Sequence, residues 1–417
     1  MIISILESYT ILMKSMHQFF TPEQLTQVLS MFFSIPDLSA SSTVSVTNLI
    51  EKICNLVAKN ISPQISLHAV FNSFDYIAAE PQTYTPSEPK LRIYCQRYFS
   101  CIGKIFRGLN QEFIEEYHEG IAKFMNKCFV IIQTWESNTG NEVTETEPIL
   151  NPILLSFRSF ILKLNELQLK PLFTKLVKWA KRPVDKNATK PVKDLDRLYV
   201  FFRAVNIILE TLMSIFSPYM TYYIDLLSET FTSNFSKLVK QKGQEFLDPE
   251  NHRMSIIMVI NTLLECIRLN YYYDTESSIP VEYFEKVSDS ILHVLDYYIA
   301  KGTMNKDQYL QWINDVYQPT VVDVLSSMDS DQISRSFLDD LLRKSKHDLM
   351  PVRLATMKIT EALLYKLEER FLTLLSDVIP YISEAFEDTN EDVEQTARTI
   401  VQKIETMTGE SIEQYLK

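Results

Sequence analysis

Glycine is scarce in this 417-residue chain, with only seven residues. Strands joined by tight hairpins, and the loops that cradle phosphates, both draw heavily on glycine, so sheet-rich folds and nucleotide-binding folds are disfavoured together. In keeping with this, no GxxxxGK[ST] loop, GxGxxG turn or GxSxG elbow occurs. Histidine is sparse: His17, His68, His118, His252, His293 and His347 are dispersed, and none stands at ligand spacing to another His or to a Cys. The five cysteines (Cys54, Cys95, Cys101, Cys128 and Cys266) are odd in number and set mostly among apolar neighbours, which fits buried free thiols rather than a disulfide framework. The first thirteen residues lack a basic start and carry Glu7, so no secretory signal is expected. The most apolar window, residues 255–267, is short for a bilayer span and holds Asn261 and Glu265. A net charge of −12 argues against indiscriminate nucleic-acid binding by the whole surface. The expectation is a soluble intracellular protein with no cofactor, no metal, no small-molecule substrate and no membrane association. Acid pairs such as Asp339 and Asp340, or Glu115 and Glu116, read as solvated helix faces, and no catalytic residues are assigned.

What is present is helical periodicity. The sequence HDLMPVRLATMKITEALLYKLEER at 347–370 carries an apolar stripe at Val352, Ala355, Ile359, Leu363 and Leu367. EDTNEDVEQTARTIVQKIETMTG at 387–409 repeats it with Val393, Ala397, Ile400, Val401 and Ile404. Steps of three and four define one helix face. Val352 and Val393 stand 41 residues apart, within the roughly 40–47-residue period of HEAT and armadillo repeats. Between them Leu375, Val378, Ile379, Ile382 and Phe386 mark a further helix bent by Pro380. Asp348 is expected to cap the helix that starts near Met350, and Arg353 to pair with an acid of the neighbouring repeat. Glu394 replaces that arginine in the second copy, which fits a terminal cap.

Along the chain, Thr21 and Pro22 open a helix over 22–34, and further helices are expected near 45–59, 64–79, 90–108 and 111–135. The acidic stretch at 136–148, ESNTGNEVTETEP, reads as a linker. Helices near 149–165 and 168–181 are followed by a Lys- and Pro-rich loop, then by two long helices, 194–217 and 218–241. Further helices follow at 249–271, 280–300, 305–317, 319–328 and 331–345. The fold class is therefore all-α, an α-solenoid of HEAT/armadillo-like helical hairpins. Its expected divisions are irregular repeats over 1–135, the linker at 136–148, a second helical region over 149–300, and C-terminal HEAT-like repeats with a cap over 301–417.

Three stretches in this order carry a family resemblance. They are LQLKPLFTKLVKWA at 167–180, RLYVFFRAVNIILETLMSIFSPYM at 197–220, and the C-terminal LLSDVIPYISEAFEDTNEDVEQTARTIVQKIETMTGESIEQYLK. Over roughly 148–417 the chain resembles the C-terminal region of the U-three small nucleolar RNA-associated protein ten family, the giant HEAT-repeat subunit of the small-subunit processome. Members of that family are much longer arrays, so the chain corresponds to a fragment or a shortened member. The resemblance implies a non-catalytic scaffold of the nucleus and nucleolus. It would support pre-ribosomal RNA processing and small-subunit RNA maturation among other processome proteins, with pre-ribosomal RNA or a small nucleolar ribonucleoprotein as a direct or indirect partner. A karyopherin-like transport receptor or another HEAT-repeat adaptor is the competing class, because those are also acidic helical solenoids.

One window departs from the acidic background. Arg158, Lys163, Lys170, Lys175, Lys178, Lys181, Arg182, Lys186, Lys190 and Lys193 face only Glu166 and Asp185, ten cations against two acids and a net of +8. Lys175, Lys178, Lys181, Arg182, Lys186, Lys190 and Lys193 are the candidate RNA- or partner-binding residues. Such a run can neutralise phosphates of a folded RNA or meet an acidic protein, and it also fits a solvated helix face with a lysine loop. The tyrosines at 219, 222 and 223 and at 271–273 could stack on bases, but fit better as packing in inter-repeat grooves and helix corners.

Overall fold

The structure, a computed structural model, describes residues 2–36, 40–78, 89–139, 143–182, 194–240, 249–300, 302, 304–328 and 331–412. It is 87% helical, with no strand among the described residues. Two units divide it, one of residues 1–212 with 250–259 and one of residues 213–249 with 260–417.

The first unit holds α1 (Ile2–Ser15), α2 (Pro22–Phe33), α3 (Ala40–Asn60), α4 (Pro63–Ala78), α5 (Pro89–Gly108), α6 (Gln111–Thr139), α7 (Val143–Ile161), α8 (Glu166–Ala180) and α9 (Asp194–Leu212). Side chains set where several of them start. Thr21 accepts from the Gln24 amide while the Gln24 side chain accepts from the Thr21 amide, and Asn165 and Gln168 repeat this reciprocal cap ahead of α8. Each odd-numbered helix packs beside the next, α1 on α3, α3 on α5, α5 on α7 and α7 on α9, while α2, α4, α6 and α8 form a second row. That alternation is the arrangement of stacked helical hairpins, in which one hairpin alone cannot bury its apolar face. Between the rows lie Leu29, Phe33, Tyr98, Phe99, Phe129 and Phe157, all buried. Small residues let the odd row approach closely: a Cβ at Gly103 of α5 would lie 3.5 Å from Ser159 Oγ and 3.6 Å from the Ser156 backbone of α7.

In the second unit come α10 (Ile224–Lys240), most of α11 (Pro249–Tyr273), α12 (Val281–Ala300), α13 (Lys306–Trp312), α14 (Gln318–Ser327), α15 (Asp331–Leu342), α16 (Met350–Leu367), the single turn α17 (Glu369–Leu372), α18 (Leu375–Ala385) and α19 (Glu391–Thr408). Here α14 packs on α16 and α16 on α19, while α15 lies on α18. The stripe Val352, Ala355, Ile359 and Leu363 is buried, and so are Val393, Ala397, Ile400, Val401 and Ile404. The expected arginine ladder is present. Arg353 donates from Nε and Nη2 to the Asp388 carboxylate at 2.6 and 2.9 Å, joining α16 to the turn before α19. Glu394 instead pairs with Arg398 on its own helix at 2.6 Å.

Four local expectations are corrected. Asp348 does not cap α16: Leu349 occupies the cap position with no side-chain bond, and the Asp348 carbonyl accepts from Arg353 at 3.2 Å. The capping asparagine is at the second copy, where Asn390 accepts from the amides of Asp392 and Val393. Most of the acidic stretch expected as a linker, 136–148, is helical: α6 runs to Thr139 and α7 starts at Val143, while 140–142 lie outside the described residues. Within it Thr146 is buried, and Glu147 accepts from Tyr199 and Arg203 of α9, both at 2.6 Å. The helix expected over 194–217 stops at Leu212, and 3₁₀ turns at Met213–Ile215 and Ser217–Tyr222 lead to α10. Finally, 305–317 and 319–328 are one continuous helix with a π turn at Ile313–Tyr317, whose wider winding carries the chain past Pro319 where an α turn would clash.

Two stretches, Arg197–Ile215 and Met254–Tyr273, are long and apolar enough to cross a bilayer by length and composition, with 56% and 72% of their apolar windows buried inside the protein. Burial within a helical stack accounts for that apolarity.

Candidate docking surface

Helix α8 is split cleanly by its neighbours. Leu169, Leu172, Phe173, Leu176, Val177 and Ala180 are buried against α6 and α9, whereas Lys170, Lys175 and Lys178 stand on the opposite, exposed face. Lys181 follows at the C-cap position, and both it and Arg182 are exposed. Lys175, Lys178, Lys181 and Arg182 pair with no acid among the described residues. Lys186, Lys190 and Lys193 lie outside the described residues. Of the wider window, Arg158 is exposed on α7, while Lys163 is drawn away from the surface, donating through Nζ to the Leu109 carbonyl at 3.0 Å. The helix C-terminus itself favours cations through its dipole, worth roughly 0.3–1 kcal/mol each, which accounts for Lys178 and Lys181 but not for the run along the whole face.

The tyrosine clusters go the other way. Tyr219, Tyr223 and Tyr271 are buried, and Tyr223 donates to Asn270 Oδ1 at 2.9 Å deep in the core. Burial pushes the Tyr223 and Tyr271 hydroxyls well above the usual phenol range. Tyr272, half exposed, is the one outward-facing member of its cluster.

The chemistry-bearing groups are similarly absorbed. All five cysteines are buried free thiols, and burial lifts the Cys95 thiol to about 12, which keeps it protonated and poorly nucleophilic at neutral pH. Asp339 accepts hydrogen bonds from Tyr381 and Arg343, both at 2.8 Å, and these hold its carboxyl below the usual range. A carboxylate so stabilised is a poor general acid. No cluster of three His, Cys, Asp or Glu placed to hold a metal occurs among the described residues.

Rows of helices, an apolar stripe that recurs after 41 residues, and an arginine–aspartate bond between neighbouring repeats define a HEAT-like helical-repeat protein. The sequence profile of the BP28CT (NUC211) domain matches residues 114–393, and the chain belongs to that family. It is 23% identical to the HEAT repeat-containing protein 1 homolog of Dictyostelium discoideum over 99% of this chain and 22% of that protein. It is 25% identical to the U3 small nucleolar RNA-associated protein 10 of Candida albicans over 62% of this chain and 13% of that protein. Among solved structures, importin β aligns over 97% of this chain and 44% of its own length, at 12% identity and a TM-score of 0.43. The chain thus spans about a fifth or less of the length of these two curated relatives.

Proposed function

We propose that the chain is a non-catalytic HEAT-repeat scaffold of ribosome biogenesis, acting in the nucleolus within the small-subunit processome. The observation that carries this reading is the family match over 114–393, together with relatives named for association with U3 small nucleolar RNA. The same match favours this role over the karyopherin alternative. Depleting the protein from its own cells should lower mature small-subunit ribosomal RNA and accumulate its precursors, while large-subunit RNA is made normally. Unchanged small-subunit RNA would overturn the assignment.

Within that role the exposed face of α8 docks an RNA backbone through Lys175, Lys178, Lys181 and Arg182, with Lys186, Lys190 and Lys193 extending the same basic run. Its support is a line of outward cations without acidic partners on a chain of net charge −12. Reversing the four described cations to Glu should weaken binding to structured pre-ribosomal RNA fragments regardless of sequence. It should also flatten the dependence of log affinity on log salt by about 0.7–0.9 for each phosphate no longer neutralised, or roughly three for four phosphates. Full recovery of RNA with loss of one protein from the purified assembly would reassign the face to an acidic partner.

A further inference from the structure

At the N-terminal end of the basic face stand two apolar side chains that packing leaves unused. Leu167, in the first turn of α8, is 85% exposed, more than any other large apolar residue among those described, and Leu162, on the turn between α7 and α8, is 59% exposed. The helix start needs neither. Asn165 and Gln168 form its reciprocal cap, and Leu164 and Leu169 take the positions of a hydrophobic staple, with Leu169 buried. Pro171 has no N–H, so the Leu167 carbonyl four residues back is left without its α-helical donor.

Leu167 also shares the face of the cations. At 3.6 residues per turn, positions 167, 171, 174 and 178 fall on one line along α8, about 16 Å from Leu167 to Lys178. Lys170, Lys175, Lys181 and Arg182 flank that line, and all four are exposed. The face is thus apolar at the helix start and basic beyond it. Glu166, the one acid of α8, is exposed next to Leu167 in the chain. Its charge repels phosphate there, so an RNA whose backbone follows the cations turns bases rather than phosphates toward Leu167.

A protruding apolar side chain gains free energy only where it can be buried. A continuous RNA duplex offers Leu167 no such place, whereas a bulge or mismatch leaves a step that costs least to unstack, and Leu and Pro are among the side chains that wedge between base steps. Ribose 2′-hydroxyls and base amino groups at such a step are donors for the Leu167 carbonyl. An acidic protein segment would meet the cations but would have to bring a pocket of its own for the leucine. We propose that Leu167, with Leu162 as a second apolar contact, is a wedge that enters an interrupted step of a helical RNA whose adjoining phosphates lie on Lys170, Lys175, Lys178, Lys181 and Arg182. Resting on α8 as an RNA-docking face, this role makes the face selective for interrupted duplexes over continuous ones.

Two RNA duplexes of about 20 base pairs, identical except for a single bulged nucleotide with 2-aminopurine next to it in one of them, separate the wedge from the backbone contacts. The full chain should bind the bulged duplex about tenfold more tightly than the continuous one, the scale of burying one leucine, and should raise the 2-aminopurine fluorescence as the step unstacks. Leu167→Ser should cut that preference to about twofold or less and abolish the fluorescence rise, while affinity for the continuous duplex and its salt dependence stay unchanged. Leu167→Met should keep both the preference and the fluorescence rise. Reversing the four cations to Glu should weaken binding to the two duplexes alike. Circular dichroism checks that each variant folds, which the exposure of Leu167 favours. Equal affinity of the parent protein for the two duplexes, or a preference that survives Leu167→Ser, would overturn the wedge and leave α8 as a backbone-docking face alone. Binding of neither duplex would overturn the docking role itself. Loss of a protein from the purified assembly on Leu167→Ser, with both duplexes bound alike before and after, would assign the leucine to a protein partner instead.

Discussion

Asp388 shows how a single contact can hold two repeats in register. Its carboxylate is 8% exposed and accepts two hydrogen bonds from Arg353, whose side chain is 17% exposed. The Arg353 hydrogen bond holds the Asp388 pKa below the usual carboxylate range, helped by a bond from the Asn390 amide. A carboxyl whose folded-state pKa is depressed adds stability above its unfolded pKa and loses it as pH falls through the folded one. Arg353→Ala should therefore cost about 2 kcal/mol at neutral pH, the scale of a hydrogen bond to a charged group that leaves its partner half-desolvated. That penalty should shrink below about pH 4 as Asp388 protonates in both proteins. Urea unfolding of both proteins across pH 3–7 measures it, and a pH-independent difference would mean that the bond contributes through packing alone.

At the scale of the element, the two matching repeat helices start differently. The polar cluster before α16 has the right composition for a cap, yet its chain geometry places Leu349 at the cap and leaves Asp348 exposed, while Asn390 reaches two amides of α19. Asn390→Ala should destabilise by about 1 kcal/mol, and Asp348→Ala should stay within about 0.5 kcal/mol of the parent protein. Thermal melts of both variants decide this, and equal destabilisation would contradict the assignment of caps. The π turn at Ile313–Tyr317 is another element-scale outcome. It leaves no mark in the apolar pattern, because its buried residues, Ile313 and Tyr317, are spaced as an ordinary α turn would space them.

For the whole molecule, the C-terminal hairpin covers the apolar stripe of α16. α19 packs on α16, and its first turn carries Glu391, Asp392 and Glu394 on the outside. A terminal repeat needs such a polar outer face to stay soluble. Removing 371–417 should expose Val352, Ala355, Ile359 and Leu363, so the truncated chain should aggregate or bind a hydrophobic dye. A soluble monomer by light scattering would show that α16 is covered in another way.

The all-helical fold, the repeat stripe and the arginine ladder were legible in the sequence, because apolar period and charge at fixed spacing depend only on local order along the chain. The basic face of α8 was equally legible, since Lys170, Lys175 and Lys178 alternate with residues that had to be buried. What could not be read were features set by how helices meet. The segment 136–148 looked like a linker because it is acidic and polar, yet Glu147 is drawn into α7 by Tyr199 and Arg203, 52 and 56 residues away. Lys163 left the basic surface for a carbonyl 54 residues earlier. Sequence determined which faces are apolar, and tertiary contact decided which polar groups are spent on holding the stack and which remain free to bind.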